Sequence, residues 1–534
     1  MVGDIVRGYS AGGYRDAGAS LQRRALRGFL ARSNSPQQDI DESNSTLRQR
    51  GRMLYMGAPI ATGAINTNRT KIVGPGLKLN CSINADILNL SSEQAKQWQK
   101  QTEAEFRLWA EKRENCDATG LNNFYGIQQL SVISWLTSGD VFALLKRYEP
   151  TELNPYSLRL HLIEADRVST PTETLSPAGF RNKTEGKHKN GNTIYDGVEI
   201  DKHGMIVAYH ISDAYPEGRN YANLKWVRVP AFNDKTLMPN ILQIMNSERA
   251  DQYRGVTYLA QVIEPLLQAN RYTQSELVAA LVQSFFTAWI ITKTDPDEVP
   301  LNEVGSGVIA PDGEPGDKPG ISAHKNEYEM GPGVVTHLQE GEDIVFGNPN
   351  VPTTGFDIFL QAIFQQVGAA LEIPHDVLLK KFDRSYSASR AALLEAWEAF
   401  KMRRSWIVDR LCQPVYEAWL AEAVALGRVK APGFFDDPLI RAAWCGAHWI
   451  GPVQGHLDPQ KEINADITAI NRGIKTHEQV AREYGSSDWQ ENAEQLRREM
   501  ELLKDIMPLT ADNERSYEEQ EKEDLQDKME DVEA

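Results

Sequence analysis

Apolar positions recur every three to four residues along some stretches of the chain, and β-forming residues alternate along shorter ones, so the pattern divides it into blocks. Residues 37–130 read as helices with a break at IVGPGLKLN (Ile72–Asn80). Residues 131–230 read as strand-rich. VISWLTSGDVFALLKRY, LRLHLIEADRV and YDGVEIDKHGMIVAYHISD alternate β-formers with Gly and Asp turns, and the last reads as a hairpin turning at Lys202–Gly204. From Val256 the spacing becomes helical through Leu259, Val262, Ile263, Leu266 and Leu267, with Pro265 early enough for a first turn or a mild kink.

FTAWIITK (Phe286–Lys293) reads as a strand, followed by a Gly/Pro/Asp/Glu-rich insert and two short strands, VVTHL and DIVF. A second helix, FDIFLQAIFQQVGAALEI, runs to Pro374. After the polar stretch HDVLLKKFDRSYSASR, one helical pattern extends from Ser387 to Leu426, about 60 Å at ~1.5 Å per residue, with a kink expected at Pro414. Three further helices are expected in 458–507, starting at Asp458-Pro459, at Thr476 and near Asp488.

At 534 residues the chain suits about three or four domains. No run of eighteen apolar residues occurs, so no transmembrane helix is expected, and the N-terminus lacks the apolar core of a secretory signal. Four scattered cysteines suit a reducing compartment rather than a disulfide framework. Charge is uneven. Residues 1–35 form a basic arm with Arg7, Arg15, Arg23, Arg24, Arg27 and Arg32, whereas residues 511–534 form an acidic tail that reads as disordered. The net charge of −17 argues against a basic nucleic-acid-binding face.

No GxxxxGK[ST], GxGxxG or HExxH motif occurs. Cys445-Gly-Ala-His448 with His456 lacks the second ligand pair of a structural zinc site, so neither metal nor cofactor is expected. Asp295, Asp297 and Glu298 sit in a Pro-rich loop without the desolvated cleft that acid–base chemistry needs, and no enzyme is expected. One cluster stands out: Lys380, Lys381 and Arg384, interleaved with Phe382 and Tyr386, in the stretch between two helices. By itself it reads as a solvated helix–helix connection that happens to be basic.

The order helix, small β-rich insertion, helix, basic loop, long Pro-kinked helix resembles the central part of tailed-phage portal proteins, most of all the lambda-type branch. The resemblance is carried by RADQYRGVTYLAQVIEPL (Arg249–Leu266), AINTNRTKIVGPGLKLN (Ala64–Asn80), SGDVFALL (Ser138–Leu145), LIEADRV (Leu162–Val168), VGAALEIPHDVLLKKFDRSYSASRAALLEAWEAF (Val367–Phe400) and the segment from Trp444 to Gly485. Asp251 stands where the family more usually has Gly, so no special turn is expected there.

The resemblance implies an α+β portal-like ring subunit, typically in a dodecamer, at the unique capsid vertex of a virion assembled in the host cytoplasm. Residues 36–255 and 388–455 would form a mixed α/β wing, with residues 256–285 and 353–374 the two stem helices. Residues 286–352 would be the clip, 375–387 the tunnel loop and 456–510 a helical crown. The clip, with Asp295, Asp297, Glu298 and Lys318, would meet the terminase large subunit and then head–tail connector proteins, and the arm would meet major capsid or scaffold protein. Lys380, Lys381 and Arg384 would contact double-stranded DNA without sequence preference, through phosphate rather than base edges. On this reading the acidity is useful, since a wall that repels the duplex lets it slide while a symmetric ring multiplies one basic loop. The alternative is another structural virion protein, a capsid or tail subunit, which has no need of this order of elements.

Overall fold

The computed structural model describes residues 24–26, 28–29, 32–175, 184–216, 224–284, 288–292, 342–346, 355–381, 386–454, 459–485 and 489–506. The chain divides into two compact units, Met1–Ile263 with Gly368–Ala534, and Glu264–Val367.

The first unit begins with α1 (Glu42–Gly57) and α2 (Pro59–Ile72), which lead through Gly74 and Gly76, both at positive φ, into β1 (Lys78–Cys81). Next comes α3 (Ser92–Ala110), opened by a capping box between Ser91 and Gln94. Its buried residues Ala95, Thr102, Phe106 and Trp109 fall on one stripe. A short turn, α4 (Arg113–Cys116), precedes α5 (Phe124–Ser138), capped by the Asn123 side chain and ended by Gly139 at φ +91°. VISWLTS, expected as strand, is thus the last two turns of α5. The helix is buried nearly all round, so its β-branched Val132, Ile133 and Thr137 show no polar face to betray the helical period.

Two antiparallel sheets follow. The first has order β3-β2-β9, from β2 (Asp140–Arg147), β3 (Leu158–Glu164) and β9 (Ile241–Met245). The second is a five-stranded meander of β4 (Glu185–Lys187), β5 (Thr193–Tyr195), β6 (Val198–Ile200), β7 (Ile206–Ser212) and β8 (Trp226–Pro230). The β6–β7 turn lies at 201–205, where Asp201 accepts from the amides of His203 and Met205 and Gly204 takes positive φ, as the pattern indicated. Phe142, Ile163, Val168, Val198, Tyr209, Ile211 and Ile241 form a common core to both sheets.

In the second unit, α6 (Ile263–Ser284) has Pro265 in its first turn, and β10 (Ala288–Thr292) pairs antiparallel with β11 (Glu342–Phe346). VVTHL lies outside the described residues. Helix α7 (Phe356–Ala370) returns the chain to the first unit.

There α8 (His375–Leu379) is followed by α9 (Tyr386–Ile407), a π-helical turn at Val408–Cys412 and α10 (Gln413–Ala425). Helical backbone thus runs from Tyr386 to Ala425, as the pattern indicated, with a π turn just before Pro414 where a kink was expected. Pro414 has no N–H for the carbonyl four residues back and its ring would strike it, and the wider π turn just upstream moves that carbonyl aside. Gly427, at φ +71°, ends α10, with the amide of Arg428 donating to the carbonyl of Ala423. After α11 (Pro438–Trp444), β12 (Ala447–Ile450) pairs antiparallel with β1, from far earlier in the chain. Phe106, Trp109, Phe124, Tyr416, Trp419 and Trp449 pack edge-on and tilted in a second core. Each such pair contributes about 0.5–1.5 kcal/mol beyond burial. Helices α12 (Pro459–Asn471), α13 (His477–Gly485) and α14 (Trp489–Ile506) start where the cap signals indicated.

All four cysteines are buried and unpaired. Burial pushes the thiols of Cys116 and Cys445 up to about 12 and those of Cys81 and Cys412 higher still. Among the described residues, no three His, Cys, Asp or Glu converge as a metal site, and no helix is long and apolar enough to cross a membrane.

Candidate functional site

Two short segments carry the chain out of the first unit and back into it, and each is organised by a buried arginine. The outgoing segment starts after β9 with a tight turn in which the Gln252 side chain accepts from the amides of Glu248 (2.8 Å) and Arg249 (3.1 Å). Asp251 at its corner has φ +60°. This corrects the expectation that no special turn would form: the backbone takes the left-handed conformation that glycine adopts freely, and aspartate is among the few other residues that tolerate it. Residues 34–39 dock on this turn, through Gln37 to the Asp251 carbonyl (2.6 Å) and an Arg249–Asp39 ion pair (2.5 Å).

Arg254 follows, fully buried. It donates to both Asp140 oxygens (2.7 and 3.2 Å), to the carbonyls of Ala165 and Val168 (2.8 Å each) and to the Asp196 carbonyl, and its Nη1 pairs with the Asp196 carboxylate at 2.7 Å. Arg48 of α1 reaches Asp196 at 2.9 Å. Asn44, one turn earlier, donates to the Gly255 carbonyl (2.9 Å), and the Gly255 amide donates to Asp140 (3.1 Å). Backbone approach is as close as atoms permit, since a Cβ on Gly255 would land on the carbonyl oxygen of Gly139. The SGD, LIEADRV and RADQYRG segments meet at this one point.

Its electrostatics follow from the dry setting. Desolvation raises the Asp140 carboxyl, but Arg254 and Arg48 outweigh it and hold the group below the usual carboxylate range. Desolvation also opposes the charge on Arg254, and Asp140 and Asp196 overcome it, so its guanidinium stays charged. Asp41 is the surplus acid. Burial first, and then the Asp196 carboxylate, push it up to about 7. With three carboxylates against two guanidiniums, a proton on Asp41 balances the cluster.

The returning segment closes α7 with the amide of Ile373 donating to the carbonyl of Gly368 (3.0 Å) and Glu372 at φ +51°. Pro374 starts α8, whose Asp376, Val377 and Leu378 are buried. Lys380, at φ +54°, turns the chain out of α8, and the amide of Lys381 donates to the carbonyl of Asp376 (3.0 Å). Both lysines are exposed on this corner. Behind it, Arg403 of α9 donates to Asn68 of α2 (3.2 Å), to the Leu371 carbonyl (3.4 Å) and to the Glu372 carboxylate (2.6 Å), and its guanidinium lies over the Tyr258 ring. The Tyr258 hydroxyl donates to the same Leu371 carbonyl, and burial pushes it up to about 12.

A family model described as phage portal protein, lambda family, matches residues 22–404, a span that holds both segments and both arginine clusters. The chain belongs to the lambda family of phage portal proteins. This is a structural rather than an enzymatic family. The portal chain is similar to Portal protein B of Escherichia phage lambda, at 23% identity over 89% of this chain and 88% of the relative. It is likewise similar to the portal protein of Escherichia phage N15, at 23% identity over 92% of this chain and 90% of the relative. Among solved structures, a chain from the neck of an empty gene transfer agent particle is similar over 81% of this chain and 90% of its own, with 14% identity and a TM-score of 0.43.

Of the residues singled out in the sequence of this portal subunit, Lys380 and Lys381 share one exposed corner. Arg384, Asp295, Asp297, Glu298 and Lys318 lie outside the described residues, as do the basic arm up to residue 23 and the acidic tail. The buried cluster of Asp41, Arg48, Asp140, Asp196 and Arg254, and the clamp at Arg403, were not singled out. Arg48 and Asn44 did leave a faint trace: they stand one turn apart with Gly51 and Leu54 on the buried face of α1.

Proposed function

We propose that this portal subunit assembles into a homo-oligomeric ring, a dodecamer, at the unique vertex of the capsid, and that double-stranded DNA passes through its centre during packaging and ejection. The exposed Lys380–Lys381 corner carries this reading. Two cations held on a left-handed corner above a buried short helix are kept at a fixed height, and rotational symmetry turns them into a cationic ring. Arg384 extends the same stretch of sequence. Such a ring touches phosphate oxygens and leaves sequence unread.

Exposed apolar residues support assembly with further copies. Leu277, Val278 and Leu281 are exposed on α6, and Leu496, Met500 and Leu503 are exposed along one face of α14. In this reading the residues beyond β10, with Asp295, Asp297, Glu298 and Lys318, meet the terminase large subunit and later the head–tail connector proteins. The basic arm meets major capsid or scaffold protein. Assembly in the host cytoplasm belongs to the same proposal.

The test has two parts. Negative-stain images of the purified protein should contain rings with a central hole, and a uniform population of monomers would sink the ring. Lys380→Ala, Lys381→Ala and Arg384→Ala together should leave rings intact and reduce the length of packaged DNA or its retention. Full-length packaging in that variant would sink the DNA contact.

A further inference from the structure

Arg403 does more than fill a buried position. It is 4% exposed, and its planar fork reaches three acceptors on two elements, Asn68 of α2 and Leu371 and Glu372 of the returning segment. A lysine, with one compact charge, could not span them. Its guanidinium also covers Tyr258, five residues before α6 begins, and the Tyr258 hydroxyl donates to the carbonyl of Leu371. Leu371 follows the last residue of α7, in the stretch where a helix end leaves carbonyls without partners, and here two side chains supply them. One side chain thus ties the outgoing and returning segments to each other and to α2.

From this geometry we propose that Arg403, backed by Tyr258, is the positioning residue that sets where the Lys380–Lys381 corner stands. The path is short. Glu372 and Lys380 are the two left-handed residues that flank Ile373, Pro374 and α8. Neither is glycine, so each conformation persists only where its surroundings hold it. At Lys380 the backbone turn on Asp376 and the buried Val377 and Leu378 do so. At Glu372 the holding contact is the 2.6 Å ion pair to Arg403. Releasing Glu372 frees the segment at its root, and the corner loses its fixed height. The proposal rests on the reading of that corner as the DNA contact, and its test separates the two.

Arg403→Lys keeps the charge and removes the fork, and Tyr258→Phe keeps the ring and removes only the hydroxyl bond to Leu371. Hydrogen exchange on assembled rings is read at the amides of Ile373 and Lys381, whose bonds close the two turns. In Arg403→Lys, exchange there should quicken about tenfold or more while amides of β2 and β3 keep their protection. Tyr258→Phe should give a smaller change in the same place. If Arg403→Lys rings do not form, Tyr258→Phe alone decides the exchange test. Unchanged exchange at both amides, or equal loss of protection everywhere, overturns the proposal.

Packaged DNA length is the second readout. Arg403→Lys should shorten it in the native background and add nothing in a Lys380→Ala, Lys381→Ala background, because the arginine acts through those lysines. Additive defects would mean a merely structural role and overturn the proposal. Normal packaging by the double-alanine parent would remove the DNA-contact reading, and with it the corner's assigned purpose, while the exchange result would still decide whether Arg403 holds the segment.

Discussion

Replacing Asp140 by Asn tests the buried cluster at its centre. In the native protein its two oxygens take the Nε and Nη2 protons of Arg254 and the Gly255 amide, with Arg48 Nη2 4.0 Å away. Asparagine keeps the volume, but it removes the charge and turns one acceptor into a donor aimed at a guanidinium. Arg254 retains the Ala165 and Val168 carbonyls and Asp196, so it stays solvated by the protein yet loses the countercharge that accepts from two of its nitrogens. Breaking one side of a buried ion pair costs about 3–5 kcal/mol, and this pair is as buried as any in the described residues, both side chains being fully covered. The expected loss is therefore about 3–5 kcal/mol, read as the urea midpoint of tryptophan fluorescence at fixed protein concentration. Removing both charges together, as Asp140→Leu with Arg254→Met, should cost less than the sum of the two single changes, because neither variant then strands a charge. A loss below about 1 kcal/mol for Asp140→Asn would refute the reasoning, since an exposed pair contributes no more than about that.

Asp41→Asn should behave oppositely with pH. The carboxyl is raised to about 7 in the fold from 3.8, so the folded state holds a proton that the unfolded chain gives up between about pH 4 and 7. Stability from this group is present below about pH 4 and lost as pH rises through 7. The variant should match the native protein near pH 4 and exceed it at pH 8. The gain is bounded at about 4 kcal/mol, from ~1.4 kcal/mol per tenfold change in proton affinity, and a pH-independent difference in thermal midpoint would contradict it. Gly255→Ala should abolish soluble expression, because the new methyl meets the Gly139 carbonyl, backbone that no rotamer change can move; a folded variant with native circular dichroism would disprove the close approach. Asp251→Gly should be neutral or stabilising by up to about 1 kcal/mol, since it relieves a left-handed aspartate, and a clear loss of stability would show that the carboxylate itself is needed.

Where local chemistry governs structure, the sequence was readable. The helix end at Gly427 and the turn at 201–205 act within a few residues, and α12–α14 start where the sequence indicated. Helix α5 was misread from residue 131 because burial on all sides erases the polar face that reveals a helical period. The π turn before Pro414 was not foreseen either, since proline dictates a disruption but not how the chain absorbs it. The arginine clusters lay further out of reach. Asp140 and Arg254 are more than a hundred residues apart, and a buried ion pair looks in sequence like two surface charges. Of the basic corner, residue types were legible, whereas its left-handed turn and the arginine behind it exist only in three dimensions.

The burial of every cysteine has a practical consequence. Because all four thiols are sealed in the core and held protonated, a maleimide at neutral pH finds almost no native target. A single cysteine introduced at position 380 would therefore be the one fast-reacting thiol per subunit, without first stripping the native ones. If that corner lines a ring's bore, as proposed, labels of graded size attached there would narrow it in steps, turning the width that DNA needs into something measured with a chemical ruler.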